Sequence, residues 1–182
     1  LASAPGGILR PTDLAPRGDV VLSEIQYNPP SSLGSDGLYE YVEIHNRSPQ
    51  AADVSGWRLK DQDDEHGFRL PDGTSIPPGG YLVLARDAET LRSVYGDALP
   101  VVGGVDFPLA NGGDTVRLLN ARGELADRVE YDDDPPWPVE ADGGGASLER
   151  VSLEDDITDF TNFAPSLAGD RPGTPGAANS RA

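Results

Sequence analysis

LYEYVEIHNRSPQAADVSGWRL, residues 38–59, holds two strand patterns on either side of a polar corner. Tyr39, Tyr41, Val42 and Ile44 are aromatic and β-branched residues that suit a pleated surface, and Asn46-Arg47-Ser48-Pro49 ends the run with turn formers. Val54, Trp57 and Leu59 then restart it. Trp57 stands behind Gly56 at the head of the second run, where a small neighbour lets another chain approach. It reads as a core plug, since an indole removed from water is among the largest single contributions to a core.

Working outward, the same grammar of short β-rich runs and turn formers fills the chain. On the N-terminal side, residues 20–27, VVLSEIQY, form a first strand that Asn28-Pro29-Pro30 ends. Residues 1–17 carry three prolines, two adjacent glycines and no hydrophobic period, and read as a linker or N-terminal arm. On the C-terminal side come Phe68-Arg69-Leu70, then Ile76, then Tyr81-Leu82-Val83-Leu84-Ala85, the most continuous apolar run and therefore the most buried strand. Asp87 can cap a short helix over residues 87–95, with Leu91, Val94 and Tyr95 on one face and Gly96 as its stop. The runs at residues 115–119 and 124–131 flank Asn120-Ala121-Arg122-Gly123, the clearest hairpin. Residues 147–151 form the last strand of the pattern.

The fold therefore spans residues 18–151. Residues 152–182 form a C-terminal extension that packs on it through Ile157, Phe160, Phe163 and Leu167, and PGTPGAANS, residues 172–180, leaves as an extended exit.

Composition agrees with many short elements. Apolar residues make up 37% of the 182, while 22 Gly and 17 Pro exceed a fifth of them, which rules against a helical bundle. No apolar run is long enough to span a membrane, and no signal peptide is visible at the start. The absence of Met suggests a mature or excised piece of a longer protein. With no Cys there is neither a disulfide framework nor a thiolate site, and two histidines alone argue against zinc. The net charge of −17, with Lys60 the only lysine, repels phosphate backbones and anionic lipid heads, so no nucleic acid is expected as a partner.

About eight turn-punctuated strands argue for a two-sheet sandwich. The serial order VVLSEIQYNPP, YEYVEIHNRS, VSGWRLKD, IPPGGYLVLARD, LANGGDTVRLLNARGELADRVEY, WP, GGGASLERV and PGTPG resembles bacterial members of the lamin tail domain family, over roughly residues 19–179. The resemblance implies an all-β, immunoglobulin-like β-sandwich without a disulfide, with one short helix and a long C-terminal extension. It implies no catalytic residues. It also implies an extracellular or cell-envelope setting, because bacterial relatives occur as modules in secreted or envelope proteins. No coiled-coil heptads accompany it here.

The residues themselves offer little catalytic chemistry. No serine lies on a G-x-S-x-G turn, and Glu65-His66 is followed by Gly67-Phe68-Arg69, so it does not open an H-E-x-x-H motif. Asp61, Asp63, Asp64 and Glu65, ahead of Gly67, loosely echo a calcium loop and are the candidate metal ligands, though the sixth-position Gly and distant Glu of an EF-hand are missing. Asp132-Asp133-Asp134 is the second acidic cluster. Apart from calcium, no cofactor is expected. Trp137, in the polar loop PPWPVEADGGG, is the ligand-binding candidate, since an indole there can stack on a sugar or insert in a partner; anchoring the loop is the competing role.

The chain thus reads as a non-catalytic binding or adhesion module of a larger secreted or cell-envelope bacterial protein, partnered by neighbouring domains and an envelope or extracellular ligand. The alternatives are a spacer that positions a neighbouring catalytic domain, or a calcium-dependent hydrolase accessory domain.

Overall fold

A computed structural model describes residues 18–154, 160–167 and 171–181. The expected arm at residues 1–17 and the expected contact of Ile157 lie outside them. Twelve strands and one α-helix follow in chain order: β1 (Val20–Gln26), β2 (Tyr41–Asn46), β3 (Ala52–Asp53), β4 (Arg58–Lys60), β5 (Phe68–Arg69), β6 (Ser75–Ile76), β7 (Tyr81–Ala85), α1 (Ala88–Tyr95), β8 (Val101–Gly103), β9 (Asp114–Leu119), β10 (Leu125–Tyr131), β11 (Leu148–Arg150) and β12 (Phe163–Pro165). One sheet has the order β12-β11-β1-β2-β7-β8, the facing sheet β10-β9-β4-β5, and β3 pairs with β6. This is the expected all-β, immunoglobulin-like sandwich.

Pairing is antiparallel except between β7 and β8, which are parallel and so need a crossover. The crossover is α1. Asp87 caps it as its sequence position predicts, accepting from the Thr90 N–H at 2.8 Å, and Gly96 ends it at φ 100°.

Alternation along the strands fills the space between the sheets. Val42 and Ile44 of β2 and Leu82 and Leu84 of β7 meet Leu59, Val116, Leu118 and Val129 of the facing sheet. Tyr41, Val83, Ala85 and Val101 instead form a second, smaller core with Leu91 of α1 on the outer side of the six-stranded sheet. α1 covers one end of that outer face, and the C-terminal segment lies over β1, every residue of which is buried.

β1 contains a bulge. Its register with β2 shifts between Leu22 and Glu24, so Leu22 and Ile25, three positions apart, both enter the main core while Glu24 is turned to the opposite face. β10 has a matching irregularity between Leu125 and Asp127: Leu125 is exposed, whereas Val129 and Tyr131 are buried. The two irregularities meet between the sheets. There the Asp127 carboxylate accepts from Arg150 Nη1 at 2.8 Å and from the Leu22 N–H at 2.9 Å, with both charged side chains shielded from solvent.

Trp57 departs from the expectation of a full core plug. It lies just before β4 and is only partly buried, with its backbone N–H bonded to the Val54 carbonyl. Trp57→Ala should therefore cost about 2 kcal/mol, below the roughly 3–5 kcal/mol of a fully buried indole. Urea denaturation of the two proteins measures this directly.

Candidate functional site

The most organised polar cluster lies on the outer face of the six-stranded sheet. Glu24 of β1 is the register partner of both Glu149 of β11 and Glu43 of β2, so three glutamates stand in one row across three adjacent strands. None is more than 1% exposed. Burying carboxylates is tolerated only where donors replace water, and here the donors come from the C-terminal segment. Thr174 N–H and Gly176 N–H donate to Glu24 Oε1 at 2.8 Å and Glu43 Oε2 at 2.6 Å. Ser180 Oγ and Arg181 N–H donate to Glu149 Oε2 at 2.8 and 3.1 Å. From the sheet side, Tyr41 Oη and Ser147 Oγ donate to Glu24 Oε1, and Ser23 Oγ to Glu43 Oε1. Burial pushes the Glu24 and Glu43 carboxyls above the ordinary range, Glu43 well above, and the neighbouring glutamates add to the rise.

Residues 172–180, read from sequence as an exit, are thus laid across the sheet. Tyr95 Oη donates to the Pro172 carbonyl, and Asn179 Nδ2 donates to the carbonyls of Ser23 and Arg150 at 2.9 Å each. Gly173, at φ 73°, passes so close that a Cβ would fall on Glu24 Oε1 and Tyr41 Oη. Gly173→Ala should therefore displace the segment and lower thermal stability about as much as deleting it, a comparison that a melting scan of both variants provides. Of the apolar residues expected to anchor the extension, Phe163 is buried, while Phe160 and Leu167 are exposed.

The candidate metal ligands at residues 61–65 are engaged within the protein. Asp61 is buried, its Oδ2 lying 2.6 Å from His66 Nδ1 and its Oδ1 accepting from the Asp63 N–H. Asp63 Oδ1 accepts from the Glu65 N–H. Asp64 pairs with Arg117 Nη1 at 2.9 Å, a hydrogen bond that holds its carboxyl below the usual range. The Asp61 hydrogen bond raises His66, whose ring stacks on Phe107 at 5.2 Å. Asp132, Asp133 and Asp134 can bring one carboxylate oxygen each within 4.8 Å of one another. Asp132 Oδ1 also accepts from the Asp134 N–H.

Both tryptophans are partly buried and pack on the main core, which for Trp137 is the loop-anchoring role. Trp137 packs on the core, its ring 5.2 Å from Phe163 and tilted by 45°, so it ties its loop to β12. Trp57 lines an open groove of about 370 Å³ together with Ala52, Asp53, Asn120, Glu124 and Leu125. Leu125 is 57% exposed. Sequence reasoning missed both the glutamate row and this groove.

The fold and this arrangement define an immunoglobulin-like module closed along one face by its own C-terminal segment. The lamin tail domain family model matches residues 14–133, well over half of the chain, and the chain belongs to that family, whose domains are non-catalytic. No curated protein matches it. Among the described residues no helix is long and apolar enough to cross a membrane.

Proposed function

We propose that the chain is a binding or adhesion module, and that its ligand surface is the groove beside Trp57. The observation that carries this reading is the groove itself: about 370 Å³, open, and pairing the apolar surfaces of Trp57 and Leu125 with the polar groups of Asp53, Asn120 and Glu124. Its size falls within the roughly 300–1,000 Å³ of small-ligand clefts, and an indole flanked by hydrogen-bonding side chains suits a sugar or a short peptide. The proposal extends to the setting, a larger secreted or cell-envelope bacterial protein with neighbouring domains, as the resemblance to bacterial lamin tail domains implies.

Fluorescence of Trp57 tests it. In a Trp137→Phe background, titration with cell-wall glycan fragments and envelope-derived peptides should give a saturable change that Leu125→Asp abolishes. Flat titrations, with no retention of the chain on envelope material, would favour the spacer reading instead.

A further inference from the structure

We propose that Glu24 is held as the neutral acid beneath the C-terminal segment, and that its proton latches that segment to the sheet. Thr174 Oγ1 lies 3.1 Å from Glu24 Oε2 and 2.8 Å from Glu149 Oε1. A hydroxyl has a single hydrogen to give, so two ionised carboxylates would leave one of these contacts with lone pairs facing each other. A proton on Glu24 Oε2 resolves it: Glu24 donates to Thr174 Oγ1, and Thr174 donates to Glu149 Oε1.

Position in the row selects Glu24 over Glu149. Glu24 is the middle member, with an acidic register partner on each side. Adjacent strands lie about 4.8 Å apart, so a neutral centre separates the two outer carboxyls by about twice that distance. Glu149 has donors on both oxygens already, Thr174 on one and Ser180 with Arg181 on the other. Glu24 Oε1 is likewise saturated, by Tyr41, Ser147 and Thr174, which leaves Oε2 as the atom with a proton to place.

The other titratable or charged groups around the latch are Glu43 and Tyr41 of β2, Tyr95 of α1, and Arg171 and Arg181 of the segment. Burial raises Glu43 too. Its two oxygens, however, each face one donor, Ser23 Oγ and the Gly176 N–H, so the segment's contact there does not require a proton.

The sign of the effect follows from linkage. A carboxyl whose folded-state value is raised binds its proton more tightly in the closed form, so the latch is fully effective below the ordinary carboxylate range and weakens as pH rises. Opening of the segment should increase by about tenfold per pH unit for this one proton, and level off once Glu24 ionises in the closed form.

Carbon-13 NMR of the glutamate carboxyls in the whole chain, with amide exchange at Thr174, tests this. The Glu24 carboxyl should resonate as the neutral acid at neutral pH and should titrate together with loss of Thr174 protection. Through-bond assignment makes this measurement possible without any variant. Glu24→Gln, whose Nε2 can donate to Thr174 Oγ1 as the acid does, should keep the segment closed and remove one tenfold step per pH unit from its opening. An ionised Glu24 at neutral pH in the closed protein would overturn the proposal. So would a Glu24→Gln protein that folds but opens with the same pH slope as the parent.

Discussion

Exchanging Asp127 for Asn should lower the unfolding free energy by about 3–5 kcal/mol, the range for removing one partner of a buried ion pair. The carboxylate lost is the one that balances the Arg150 guanidinium, in a site where both side chains are almost wholly screened from water. Its Oδ2 is also the acceptor for the Leu22 N–H, at the bulge that turns Glu24 outward, a bond that an Asn oxygen can keep. The lost charge balance cannot be made up by solvent. The control is replacement of both partners, Asp127→Asn with Arg150→Met, which should cost less than the single change because the Leu22 N–H keeps an acceptor and no charge is left unbalanced at the site. Equal losses in the single and double variants would mean that packing, not charge balance, determines the stability of this site. Urea unfolding of the three proteins decides it.

Ending the chain at Val151 should have a comparable effect. Such a chain lacks β12, the edge strand that pairs Arg150 with Phe163, Glu149 with Ala164 and Leu148 with Pro165. It also lacks every donor that the C-terminal segment gives to Glu24, Glu43 and Glu149. Hydrogen bonds contribute about 0.5–1.5 kcal/mol each, up to about 3 kcal/mol where the acceptor is charged, and burying a Phe about 1.5–3 kcal/mol, most of it offset by the entropy of ordering the segment. The net loss should be roughly 5 kcal/mol, which for a domain of this size corresponds to about 10–20 °C in Tm. An unchanged melting point would make the extension an appendage.

The sandwich was legible because its signals are local. Residues 81–85 are apolar throughout, Asp87 and Gly96 bracket the helix, and Asn120-Ala121-Arg122-Gly123 turns one strand into the next. The glutamate row was not legible, for a physical reason. Glu43 stands between Val42 and Ile44, Glu24 before Ile25 and Glu149 after Leu148, as on a strand with one wet face, and three among 31 acidic residues pass unremarked. Their burial depends on a segment more than 20 residues beyond the last of them, whose prolines and glycines imitate a linker.

The tryptophans were legible only in part, for a related reason. An indole beside a glycine reads as core and an indole in a polar loop as either a ligand platform or an anchor, but the exposure of each is set by which strands end beside it. Trp57 sits where β3 and the start of β10 leave a groove, and Trp137 sits where β12 returns Phe163 to meet it. The loop at residues 61–65 shows the same limit, since Asp61 and Asp64 find His66 and Arg117 only in three dimensions.

Hydrogen exchange at the Thr174 and Gly176 amides tests whether the C-terminal segment is a structural layer of the sandwich held by buried glutamates. Both N–H groups donate to buried carboxyl oxygens, Thr174 to Glu24 and Gly176 to Glu43. At mildly acidic pH they should exchange slowly, with protection approaching that of β1 and β2. Exchange at the rate of an unstructured peptide, with the strands still protected, would contradict the account.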